Sequence, residues 1–421
     1  MTSPAPARST KKSAAKALHE PVAADPSASG SPEPDLNEAM DLAMQLMAIP
    51  GVSGHEAAVS QFITDRLISA GADPDAIRTD NAHHKTPLKG EVGNLVFQMP
   101  GTHPGPRRLL MGHMDTVPIC VGAQPVRKGQ FVSSADPRTG LGADDRAGVA
   151  VVLSTALAVL RRGLPHPPLT FFWPIQEEVG LHGARHVQLS LLGRPKLAFN
   201  WDGGPAEKLS VGATGGYRLQ IEIIGLASHA GGAPEKGVSA IAVAALAIAD
   251  LVENGWHGDV RKGRNRGTSN VGVIRGGNAT NVVTDLVEIK AEARSHDPKF
   301  RQRIVRAIEL AFQRAAKKVR SVDGTRGKVN FKGRLDYESF KLADDEPAVL
   351  AAEAAIRAVG GEPLRAISNG GLDANWMTAH GIPTVTLGCG QMNIHTVSEQ
   401  LDMAAFEQAC RVALRLAVGE R

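Results

Sequence analysis

Three apolar runs in this 421-residue chain stop at side chains that an apolar core rejects. RLLMGHMD (108–115), LTFFWPIQEE (169–178) and KLAFNWD (196–202) finish in Asp or Glu, the first with His113 two residues before its end. A fourth run, PTVTLG (383–388), is followed seven residues later by His395. Runs of this kind read as strands. Stretches with helical spacing, such as 146–161 and 348–359, lie between them. Strands alternating with helices predict an α/β sheet with parallel strands. Parallel strands point one way, so their carboxyl ends share one sheet edge, where such folds bind ligands. The polar ends of the four runs are therefore expected to meet.

The texture changes between residues 215 and 340. GYRLQIEIIG alternates with period two, as a half-exposed strand does. A helix (VSAIAVAALAIADLVENG), two strands (TSNVGVIRGG and NVVTDLVEIKAEARS), a second helix (FRQRIVRAIELAFQRAAKKV) and a last strand (KVNFKGRLDY) follow. That β-α-β-β-α-β order is the ferredoxin-like arrangement, here interrupting the α/β fold. The expected organisation is a catalytic domain over 36–214 and 341–421 with an inserted α+β domain over 215–340. Residues 1–35 are dominated by Ala, Pro and Ser, with Arg8, Lys11, Lys12 and Lys16 making the first half basic. Such a segment has little to bury and reads as a disordered, solvated tail.

Composition removes several function classes. Lys and Arg number 47 against 43 Asp and Glu, a net +4, which argues against a nucleic-acid protein built on a basic face. Aromatic residues at 4% leave few platforms for stacking bases. Cys120, Cys389 and Cys410 are far apart and outside any CxxC spacing, which fits a reducing compartment and argues against a thiolate metal site. The most apolar run, 148–160, falls short of the roughly 18 residues a membrane span requires. With no signal-peptide pattern at the N-terminus, the expectation is a cytoplasmic protein without a membrane partner.

Chemistry concentrates in five motifs. GHMDTVP puts His113 and Asp115 two apart, on one face of an extended strand, where a carboxylate can fix the tautomer of a metal-binding imidazole. GLGADDRAG sets Asp144 and Asp145 at the mouth of an apolar helix, where helix capping is the ordinary role of such residues. EEVG leaves two glutamates, Glu177 and Glu178, at the end of an aromatic strand. Adjacent residues point opposite ways, so one can bind metal while the other serves as a base. NWDGG adds Asp202, and NIHT adds His395. Imidazole and carboxylate donors without thiolates suit zinc, with manganese or cobalt also accepted. The set is too large for one catalytic zinc and fits two metals sharing a carboxylate. The residues alone do not choose between Asp144 and Asp145, or between Glu177 and Glu178.

These motifs, with PGVSGHE (50–56) and GLDANWMTAHGIPTVTLGCGQMNIHT (371–396), resemble the co-catalytic zinc superfamily of aminoacylases, carboxypeptidases and peptidase T, and the peptidase T branch most. The resemblance runs from about Leu36 to the C-terminus. It implies a zinc-peptidase-like α/β domain, its mostly parallel sheet carrying helices on both faces, with an inserted lid and dimerisation domain. It implies two zinc ions, one on His113, Asp144 and Asp202 and the other on Asp144, Glu178 and His395. Asp115 would support His113, and Glu177 would be the general base. GLASHAGGAPEKGVSAI, TNVV and EARSHD resemble lid segments, implying His229 as an oxyanion donor that reaches a neighbouring subunit and Asn281 and Arg294 as substrate-binding residues. A homodimeric aminopeptidase hydrolysing short peptides such as tripeptides is the implied function.

A carboxypeptidase or N-acyl-amino-acid amidohydrolase of the same superfamily would carry the same motifs, and a non-catalytic binding protein would keep only the fold. His83, His84 and His182 are further histidines near these motifs, read as residues of a lengthened loop (His83, His84) and of local packing (His182) rather than as ligands.

Overall fold

In a computed structural model, Met1 and residues 32–419 are described. The tail expectation for 1–35 therefore falls almost wholly outside the described residues. Asp35 accepts a hydrogen bond from the Glu38 amide (3.0 Å) and caps the first helix, Leu36–Ala48.

The four apolar runs form the centre of a nine-stranded sheet. Leu169–Trp173, Arg108–Met111, Leu197–Trp201 and Thr384–Leu387 lie side by side and parallel. Leu95–Met99 and Ile77–Thr79 extend one side antiparallel. Lys208–Ala213, antiparallel to Thr384–Leu387, extends the other side and pairs with Leu364–Ser368 and Phe340–Lys341. Successive residues of each central strand enter opposite cores. Leu110, Phe171, Trp173, Phe199 and Trp201 face a large cluster containing Leu36–Ala48, Ala143–Arg162, Pro347–Ala358 and Met403–Val418. Leu109, Met111, Phe172 and Ala198 face a thinner cluster that includes Ala184 and Met377 of two short helices, His182–His186 and Asp373–Ala379. Burial on both faces is why these runs are almost continuously apolar.

Ala143–Arg162 is apolar nearly all round because it is buried nearly all round. Gly148 lets it approach the sheet: a Cβ there would sit 2.0 Å from the Trp201 carbonyl oxygen. Asp145 caps the regular part of this helix, accepting from the Gly148 amide at 3.2 Å, whereas Asp144 does not. Gly142 occupies the N-cap of the whole span, and both aspartates leave helical φ/ψ, which frees their side chains from the helix surface.

The chain leaves the large sheet at Thr214 and re-enters it at Phe340. Between, Gly215–Ile224, Asn265–Gly276, Leu286–Ser295 and Lys328–Tyr337 form an antiparallel sheet in the ferredoxin-like order, with Gly215–Ile224 between Leu286–Ser295 and Lys328–Tyr337. Ala240–Glu253 and Pro298–Lys318 share a separate core with it, including Ile221, Val243, Ile289 and Phe312. An edge strand, Gly258–Lys262, joins Asn265–Gly276 through the two-residue turn Gly263–Arg264. Its charged, glycine-flanked sequence gives no apolar alternation to read. A third small sheet, Pro125–Lys128, Phe131–Ser134, Gln400–Asp402 and Gln391–Met392, was also not legible, since each strand is short.

Phe171 stacks on Phe97 and Trp173 at centroid distances of 5.9 and 6.3 Å, in the middle of the larger core. Phe171→Ala is expected to cost about 3–5 kcal/mol in denaturant unfolding, the range for truncating a buried aromatic. A loss below 1 kcal/mol would mean that this core collapses around the cavity.

Candidate metal centre

The parallel strands deliver their polar ends to one edge, as the topology requires. His113 follows Arg108–Met111, Glu177 and Glu178 follow Leu169–Trp173, and Asp202 follows Leu197–Trp201. Asp144 comes from the broken first turn of Ala143–Arg162. His395 lies on the loop joining Gln391–Met392 to Gln400–Asp402, with φ of 63°.

Asp144 sits between two imidazoles. Its Oδ1 is 3.3 Å from His113 Nε2 and its Oδ2 is 3.1 Å from His395 Nε2. Glu178 lies 3.0 Å from the same His395 nitrogen, and Glu177 Oε2 is 3.9 Å from His113 Nε2. Donor atoms of His113, Asp144 and Glu178 cluster within 4.8 Å of one another, as do those of His113, Glu177 and Asp202.

Asp115 organises this geometry without entering it. His113 Nδ1 faces the Asp115 carbonyl oxygen at 3.1 Å and its carboxylate at 3.4 Å, so a proton on Nδ1 leaves the Nε2 lone pair free for a metal. The same carboxylate accepts from the Ser53 hydroxyl (2.6 Å) and from the amides of Glu177 (2.9 Å) and Glu178 (3.2 Å). Asp145 plays a comparable part, accepting from the His113 amide (2.9 Å), the Gly148 amide (3.2 Å) and Gln391 Nε2 (2.7 Å).

The electrostatics are those of crowded like charges. Burial, reinforced by the Asp144 charge, pushes Asp202 up to about 7. Burial lifts Glu177 well above the usual carboxylate range, with Asp202 and Glu178 adding to the effect. Burial also opposes ionisation of Asp144, but the facing His113 and His395 imidazoles outweigh it and hold the group low. Hydrogen bonds to Asp144 and Glu178 draw His395 up to about 10. Carboxylates gathered away from water call for cations, and among the described residues Asp144 Oδ1 has no hydrogen-bond partner of its own. The donors fit metal ions.

The cluster opens into a cleft of about 490 Å³. Its lining also carries the cationic side chains of Lys208, Arg218 and Arg294, together with Tyr337. Arg294 is held by Glu292 through contacts of 3.0 and 3.1 Å, and Arg218 pairs with Asp336. Among the described residues Lys208 has no ion-pair partner. Sequence reasoning missed Lys208 of the large sheet and Arg218 and Tyr337 of the small one, which folding brings to one cleft. It also missed Asp373, quoted within GLDAN but given no role. That carboxylate is buried, has no hydrogen-bond partner on either oxygen among the described residues, and is pushed up to about 8 by burial together with Asp202 and Asp115.

His229 and Asn281 are exposed and absent from the cleft lining. They are neighbours on the smaller sheet's side, where the Ala230 amide donates to the Asn281 carbonyl (2.9 Å). His229 Nδ1 accepts from the amides of Gly231 (3.1 Å) and Gly232 (2.9 Å), which fixes the proton on Nε2 as a donor. His83 and His84 lie in a 3-10 turn outside the cluster. His182 begins the short helix His182–His186, and burial lowers it to about 4. Trp201 packs on Phe199 in the core.

A mixed α/β sheet with a His-carboxylate cluster at the carboxyl edge of its parallel strands defines a metallohydrolase-type site. The model of peptidase family M20/M25/M40 matches residues 109–418, and the chain belongs to that family, in its peptidase T-like branch. A tripeptidase from Staphylococcus aureus is 31% identical, with a TM-score of 0.81 over 92% of this chain and 98% of its own. Aminopeptidase PepT from Bacillus cereus is 30% identical, with a TM-score of 0.77 over 91% and 98%. Carboxypeptidase G2 from Pseudomonas sp. is 29% identical over 77% of this chain and 76% of its own.

Zinc content of four single variants tests which histidines matter. His395→Ala is expected to lose metal, while His182→Ala, His83→Ala and His84→Ala keep the wild-type amount. Loss in His182→Ala with retention in His395→Ala would reverse the assignment.

Proposed function

We propose that the protein is a di-zinc aminopeptidase releasing the N-terminal residue of short peptides, tripeptides foremost. The observation that carries this reading is Asp144, whose two oxygens face two histidines from different parts of the chain. A carboxylate so placed suits two cations, one also held by His113 and Asp202, the other by Glu178 and His395. Zinc fits these donors, and manganese or cobalt is accepted by the same set. Bound metal ions would polarise the peptide carbonyl and acidify water.

Glu177 is the general base in this reading. Its burial raises its affinity for protons, the direction a base working near neutrality needs. It takes a proton from the attacking water and passes it to the departing nitrogen as the C–N bond breaks. Asp115 holds the Glu177 amide and His113 in register. The cationic lining suits the C-terminal carboxylate of a short peptide, with Arg294 offering its fork of donors and Lys208 a point charge. Such a lining, together with the likeness to carboxypeptidase G2, also suits a carboxypeptidase, which is the second reading. Residues 215–340 act as a lid and dimerisation domain on the catalytic domain of 36–214 and 341–421. His229 and Asn281 serve the neighbouring subunit's cleft in a homodimer. Three free, buried cysteines fit work in the cytoplasm.

A hydrolysis screen of free, N-acetylated and C-amidated di- and tripeptides decides the reading. N-terminal residues released from free peptides are expected, with Lys208→Ala raising KM for free but not amidated peptides. Release from the C-terminus of N-acetylated peptides would make it a carboxypeptidase. Glu177→Gln should keep its metal while losing about a hundred- to ten-thousandfold in rate, the usual worth of a general base. Activity within a few-fold of wild type would remove Glu177 from that role. Mixing inactive His229→Ala and Glu177→Gln chains should restore part of the activity if each lid serves its neighbour. No recovery after demonstrated subunit exchange would confine His229 to its own chain.

A further inference from the structure

We propose that Glu399 is a positioning residue that fixes Asp144 between the two histidines, so that metal affinity depends on a side chain that touches no metal. Glu399 is 2% exposed. One of its oxygens, Oε2, accepts from the amides of Leu141 (2.9 Å) and Gly142 (2.8 Å), and the other, Oε1, from the amide of Asp144 itself (3.0 Å). These are backbone donors at the start of Ala143–Arg162, where a helix has no internal acceptors to offer. The turn is broken at Asp144 and Asp145, so a side chain must replace the missing regular geometry. A single carboxylate from a segment more than 250 residues away in the chain does so.

A Cβ on Gly140 would lie 3.0 Å from Glu399 Oε2 and 3.0 Å from Cys120 Sγ. The Cys120 thiol donates to the same oxygen at 3.4 Å. Gly140 thus keeps open the slot that Glu399 fills. Glu399 also stands four residues after His395, and its amide donates to the Thr396 carbonyl at 3.2 Å. The segment 395–399 therefore carries a metal-binding imidazole at one end and a clamp on the shared carboxylate at the other. Two groups proposed for one metal are held in register by five residues.

The inference rests on the reading of Asp144 as a metal ligand, and Asp144→Ala separates the two. If Asp144→Ala binds zinc as wild type does, the ligand reading fails and takes this one with it. If Asp144→Ala loses metal, Glu399→Gln tests the clamp on its own. The amide keeps the shape but turns an N–H₂ donor toward backbone N–H groups. Zinc titration of metal-free protein, paired with cobalt absorption spectra and thermal unfolding of the metal-free form, reads affinity and geometry independently of peptide hydrolysis. A tenfold to hundredfold weaker zinc affinity is expected, the typical cost of losing an outer partner of a metal ligand. An altered cobalt spectrum and a metal-free Tm within a few degrees of wild type complete the expectation. Unchanged affinity in folded Glu399→Gln overturns the proposal. Should that variant not fold, Gly140→Ala, which crowds the carboxylate without removing it, is held to the same affinity loss. Wild-type affinity in Gly140→Ala, or failure of both variants to fold, overturns it as well.

Discussion

Six carboxylates and two imidazoles meet at one edge of an otherwise apolar sheet, and the rest of the structure is arranged around that crowding. Asp115, Asp144, Asp145, Glu177, Glu178 and Asp202 lie at or beneath the surface of a single cleft. Left without partners, such a group would resist burial strongly. Backbone amides take up part of the charge: Asp115 holds two, Asp145 two, and Glu399 three. These clamps occupy the carboxylates that sit behind the cluster. Asp144, Glu178 and Asp202 remain turned toward the cleft, where cations would neutralise them.

The division of labour between neighbouring residues follows from local backbone geometry. Asp144 and Asp145 are adjacent and chemically identical, yet Asp144 faces two histidines while Asp145 turns inward to the His113 amide and Gln391. The broken helical turn makes this possible, because a regular helix would put both on its surface. Glu177 and Glu178 separate in the same way, with Glu177 beside His113 and Glu178 beside His395. Acidic groups and the cationic side chains of Lys208, Arg218 and Arg294 line the same cleft.

The sequence by itself determined the parallel centre of the large sheet and the edge at which chemistry sits. Continuous apolar runs must be buried on both faces, and their polar ends can then only emerge together. It also determined the alternation of the smaller sheet, since period-two patterning survives in Gly215–Ile224 and Leu286–Ser295. Only the tertiary structure decided which of two adjacent acids faces the cluster, because side-chain direction depends on φ and ψ that residue type does not encode. It alone brought Lys208 from the large sheet to Arg218 and Arg294 from the small one. It alone set Glu399 against the Leu141, Gly142 and Asp144 amides. Those contacts join segments far apart in the chain, and no local pattern records a partner that only folding supplies.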